Sequence, residues 1–149
     1  MSNQYRKAEN LLYSFPVNEM RYRESIIQYM RLRAETDCRA QSYTHSEHSE
    51  PSDPPSDYVN RLMKAEAEIK RFGGLVREVR EMRYDLRKSE ADRQSAMYQV
   101  LELYYFKGMS MKDLAMHLGM NERTIYRRRN DLVRELMRRQ RRNARQPEE

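Results

Sequence analysis

The stretch MKDLAMHLGMNERTIYRRRN, residues 111–130, makes two short apolar turns up to a glycine, restarts, and then fills with arginine. Ser110 precedes it as an N-cap residue, and Asp113 completes a capping-box-like pair that can satisfy orphan amides. Leu114, Ala115 and Leu118 form the inward side of the short helix that begins there, and Gly119 ends it. A small residue at 115 lets a following helix cross closely. Glycine at 119 permits the positive φ of a tight turn. Ile125 then anchors a second helix, which Asn121 caps. This spacing predicts a helix-turn-helix, against the blander alternative of an ordinary helical hairpin.

The second helix carries the chemistry. With Ile125 inward and 100° per residue, Leu132 and Leu136 share its side, while Arg123, Arg127, Asn130, Arg134, Arg138 and Arg141 fall opposite. The DNA major groove admits an α-helix, and residues near the amino end of that helix reach base edges. Glu122, Arg123, Thr124 and Arg127 occupy those positions. Arginine can pair bidentately with guanine, and Glu122 can accept from a cytosine amine or simply favour the helix dipole. Ser110, Lys112, Tyr126, Arg128, Asn130 and Arg134 are suited to the DNA backbone, as is Thr124 in a second role. Arg129 lies partly inward, where its stem can snorkel.

Charge distribution supports the same partner. The chain of 149 residues has a net charge of +6, yet residues 122–145 alone hold ten arginines against three acids. Positive charge so concentrated predicts a polyanion, here double-stranded DNA, met at one place. Hydrophobic content of 38% against 35% charged residues argues for small helical modules over one large core. With only four glycines and no hairpin pattern, an all-α fold is expected, with a C-terminal helix-turn-helix and long N-terminal and central helices.

Other chemistries find little support. Cys38 is the single cysteine, which excludes an internal disulfide and fits a reducing cytoplasm. No apolar run approaches the ~20 residues that span a bilayer, so no membrane partner is expected. His45 and His48 are too few for a zinc site, and neither a metal nor another cofactor is expected. The absence of a phosphate loop or a recognisable nucleophile–base pair argues against an enzyme. His117 falls in the scaffold helix, where packing or surface exposure suits it better than catalysis.

The rest of the chain divides by composition. Residues 1–40 read as an N-terminal helical segment, with apolar content ending at Pro16 and a helix starting at an Asn18 cap. Residues 41–57 read as a flexible, acidic Pro/Ser linker. In residues 58–90, Leu62, Ala65, Ile69, Phe72, Val76, Val79 and Leu86 alternate by three and four, failing only at Arg83. That pattern suits either a dimerisation helix, giving a homodimer, or an amphipathic helix lying on its own domain. Gly73 and Gly74 interrupt it as a hinge or a break between two helices. Residues 91–140 form the expected DNA-binding domain, opening with a helix over roughly 89–107 that Gly108 stops. Residues 141–149 form a basic tail.

Residues 95–136 resemble the region 4 helix-turn-helix of sigma-70-type transcription factors, through Leu101, Tyr105, Gly108, Ser110, Leu114, Ala115, Leu118, Gly119, Ile125 and Arg127. They also resemble phage late-gene transcriptional regulators of the RinA/ArpU type, which share the module. The resemblance implies a promoter-binding regulator working with host RNA polymerase, expected to be an activator, with Glu122, Arg123 and Arg127 as base readers and Tyr126 on the backbone. Tyr104 departs from the phage pattern, which often has arginine there. No sigma region 2 is visible, so promoter melting is not expected. The alternative function is a phage terminase small subunit, which also joins a helix-turn-helix to an oligomerising helical segment.

Overall fold

The structure is a computed structural model that describes residues 2–43 and 55–146. These residues form helices joined by short turns, with no strand among them, so the fold is all-α. Helix α1 spans Asn3–Tyr43 and α2 spans Pro55–Leu86. Two single turns follow, α3 (Glu90–Arg93) and α4 (Ala96–Gln99), and α4 runs into a π-helical segment, Val100–Phe106. Helices α5 (Met111–Leu118) and α6 (Glu122–Arg145) complete the chain. Most of the expected linker, and both of its histidines, lie outside the described residues, although its flanks belong to α1 and α2.

The chain folds into two compact units: Met1–Pro16 with Leu75–Glu149, and Val17–Gly74. In the second unit, α1 and α2 run antiparallel. The Tyr58 hydroxyl donates to the Leu32 carbonyl at 2.8 Å, and Gly73 lies against the Tyr22 ring. A Cβ at Gly73 would meet Tyr22 Cε2 at 3.1 Å, so this glycine permits close helix approach and does not break α2. The expected break between two helices at Gly73–Gly74 is therefore corrected: α2 continues through both. Leu32, Ala65, Phe72 and Ser25 are buried here, and the guanidinium groups of Arg21 and Arg71 lie over the Phe72 ring.

The first unit holds the larger core. Val76, Val79 and Met82 of α2 are buried there, with Val100, Leu101 and Tyr105 of the π-segment, Leu114 and Ala115 of α5, and Ile125, Leu132, Val133 and Leu136 of α6. The start of α1 completes it: Ala8, Leu12 and Phe15 are buried, and Phe15 stacks on Phe106 with ring centroids 4.8 Å apart. Burying Leu12 and Phe15 contributes about 1.5–3 kcal/mol each.

Two expectations about helix ends change. Helix α1 passes through Pro16 without ending, and Asn18 lies inside it. Proline lacks the amide of an interior helix position, but Pro16 is exposed, where water can satisfy the freed carbonyl. The helix expected over 89–107 is instead three pieces. Ser89 accepts from the Asp92 amide and Ser95 from the Tyr98 amide, so the chain starts a helix twice. Arg83, the gap in the apolar alternation, binds Glu102 of the π-segment through Nε at 2.6 Å and Nη2 at 3.3 Å.

Candidate nucleic-acid interface

The turn between α5 and α6 is built by the backbone. Ser110 Oγ accepts from the Asp113 amide at 3.1 Å and starts α5. Gly119 ends it in the left-handed region, φ 63° and ψ 31°. The Met120 amide donates to the Ala115 carbonyl at 3.0 Å and the Gly119 amide to the Met116 carbonyl at 3.3 Å. This pair of bonds is a Schellman motif, which needs the left-handed residue that glycine supplies without a Cβ penalty. Asn121 Oδ1 then accepts from the Arg123 amide at 3.0 Å and opens α6. Gly108, at φ 75°, makes the preceding turn, where the Met109 amide reaches the Leu103 carbonyl at 2.8 Å.

Helix α6 is fixed by Ile125, Leu132 and Leu136, all fully buried. Its arginines divide by partner. Arg139 is nearly buried and binds Asp85 at 2.7 Å and Glu135 at 2.9 Å, tying α6 to the end of α2. Arg139 holds the Asp85 carboxyl below its ordinary range, with help from Lys88. Glu135 is lowered likewise, first by hydrogen bonds from Arg138. Arg138 is exposed but makes a fork with Glu135 at 2.7 and 2.9 Å, and Arg128 lies 3.5 Å from Asp131. Arg123, Arg127, Arg134, Arg141, Arg142 and Arg145 are exposed and form no ion pair with any described residue.

Arg129 faces inward into an aromatic cluster. Its guanidinium carbon lies 5.9 Å from the Tyr104 ring centroid and 5.3 Å from that of Tyr126, and its Nε is 3.7 Å from Glu9 Oε1. The Tyr105 hydroxyl donates to the same Glu9 oxygen at 3.0 Å, and the Tyr13 and Tyr104 hydroxyls share a hydrogen bond. Burial pushes the Tyr105 phenol well above its usual range, and the Glu9 charge adds to it. Burial alone would lower the Arg129 pKa, yet Tyr105 and Glu9 raise it, so the half-buried cation stays charged. Glu9, Tyr13 and Tyr5 were not legible as parts of this region. Their partners lie about a hundred residues away, and only the apolar content around Leu12 and Phe15 hinted that this segment packs.

The sequence-derived positions fall as follows. Glu122, Arg123, Arg127, Arg128 and Arg134 are exposed, Thr124 is half-buried, and Ser110, Lys112 and Tyr126 are exposed. Thr124, Arg127, Arg128, Asn130, Asp131 and Arg134 line an open depression of about 420 Å³ along α6. Asn130 lies on the arginine side as expected, but it is half-buried, and its Oδ1 accepts from the Tyr5 hydroxyl at 2.7 Å. The brace from α1 reaches it there, at the edge of the arginine face.

Among the described residues no group of three or more His, Cys, Asp or Glu is arranged to hold a metal. No described helix is long and apolar enough to cross a membrane. The geometry of residues 110–136 is that of a sigma-70 region 4-like helix-turn-helix, whose scaffold buries one side of α6 and exposes the other. A family model described as ECF sigma factor matches residues 59–143. No curated protein and no solved structure matches the chain.

Proposed function

The chain belongs to the ECF sigma factor family, and from that premise we propose that it is a sequence-specific, double-stranded DNA-binding transcription regulator. It acts at a promoter with host RNA polymerase, as a phage late-gene activator. The observation that carries this reading is the exposed, unpaired arginine face of α6, held outward by Ile125, Leu132 and Leu136. Six arginines on one helix without acidic partners repel one another, a cost that a phosphate lattice relieves. In the reading proposed here, α6 enters the major groove. Glu122, Arg123, Thr124 and Arg127 meet base edges, while Ser110, Lys112, Tyr126, Arg128 and Arg134 hold the backbone. Asn130 can join them only through the amide group that Tyr5 leaves free. The match covers only residues 59–143, so the promoter contact is assigned to the module and not to α1.

The test is selection of bound sites from a random duplex pool, followed by titration of the selected site against salt. A defined motif is expected. Affinity should fall by about 10³–10⁵ between roughly 50 and 200 mM salt if six or more phosphates are neutralised. An unenriched pool or a flat salt response rejects the proposal.

A further inference from the structure

Helix α1 is apolar on two sides within Val17–Gly74, and an open depression lined by Ser25, Ile27 and Phe72 lies between them. One side, with Ser25 and Leu32 buried, packs on α2. The other carries Met20, Ile27 and Met30, which are 52, 48 and 63% exposed. A helix with two apolar faces is ordinarily covered on both. The spacing is heptad-like, with Met20, Ile27 and Ala34 at one core position and Arg23 and Met30 at the other. The apolar face of α2 is not available as a rival seam, because Ala65, Phe72, Val76 and Val79 are buried within the chain.

Charge selects the occupant. Glu24 and Arg31 flank this stripe at equivalent heptad positions and form no ion pair with any described residue. They are seven apart on one helix, too distant to pair with each other. Two antiparallel copies of α1 centred between Gln28 and Tyr29 would set Ile27 against Met30 of the other copy and Glu24 against its Arg31, twice over. Shifting that register by one heptad either way opposes Glu24 to Glu24 or Arg31 to Arg31. A parallel pair opposes Glu19 to Glu24. Like charges face each other in each alternative, so one arrangement is favoured.

We infer that the Met20–Ile27–Met30 face of α1 is a homodimer interface, taking the same face of a second copy of this chain antiparallel. The seam covers only a few turns, below the ~1,200 Å² of a standard interface, so association is weak and depends on concentration. It owes nothing to DNA.

Sedimentation velocity of the full chain without DNA, from low micromolar to near-millimolar concentration, tests this directly. A monomer–dimer equilibrium is expected, and Ile27→Glu should raise its dissociation constant by at least about tenfold. Ile27 is half-exposed, so the thermal melt of that variant should be unchanged at monomeric concentrations. Glu24→Arg and Arg31→Glu should each weaken the dimer, and the double variant should recover it. Met63→Glu, on the exposed side of α2, should leave it intact. A chain monomeric throughout, a dimer indifferent to Ile27→Glu, or a double variant no better than the singles would overturn the interface.

Discussion

In the proposed reading, two basic residues near the turn, Arg127 and Lys112, take the two different roles that a cation can play on DNA. Arg127 is exposed on α6 without an acidic partner, two residues beyond the Ile125 anchor. Lys112 is exposed in the first turn of α5. A guanidinium aimed at a base edge discriminates, whereas an ammonium at a phosphate holds every sequence alike. Arg127→Ala should therefore reduce preference for the selected site by about 1–3 kcal/mol relative to random duplex. Lys112→Ala should weaken both duplexes equally and lower the salt slope by about one. Competition titrations on the two duplexes read both effects, and identical outcomes would mean that Arg127 does not face the bases. The exposed positions were legible because helix periodicity and one buried anchor fix every direction on α6. Asn130 was not, since nothing local announces that Tyr5 reaches it across the fold.

At the scale of elements, helix starts and stops set by side chains were readable, and those set by distant packing were not. Ser110, Gly119 and Asn121 act within three residues of themselves, so their chemistry appears in any short window. Pro16 and Asn18 looked like a boundary by the same local logic. Burial of Leu12 and Phe15 just before them and Leu32 beyond holds α1 helical regardless. The attachment of α6 to α2 is likewise long-range, through Arg139 and Asp85. Because the folded pKa of Asp85 is lowered, its contribution is present above the ordinary carboxylate range near 3.9 and is lost as pH falls through the lower folded value. Asp85→Asn should thus cost about 1 kcal/mol at neutral pH, discounted because Asp85 is 40% exposed. Urea denaturation should show that difference shrinking progressively as pH falls below the ordinary carboxylate range.

For the molecule as a whole, the family-matched region does not contain all of its own core. The match begins at residue 59, yet Ala8, Leu12 and Phe15 are buried in the unit that carries the helix-turn-helix. Leu12→Ala should destabilise that unit by about 2–5 kcal/mol in chemical denaturation, despite lying about a hundred residues before α5. Met30→Ala, at an exposed site in the other unit, should be nearly neutral for monomer stability. An unperturbed Leu12→Ala protein would show that α1 is not part of the module. The π-helical segment has its own bearing on how this chain is compared with relatives. Its Lys107 amide bonds to the carbonyl five residues back, at Glu102, so the turn encloses one more residue than an α-turn. A homologue with a plain α-turn there would present equivalent side chains one position out of phase on the amino-terminal side. An ungapped alignment across 100–106 would then equate Tyr105, which grips Glu9, with a residue facing elsewhere.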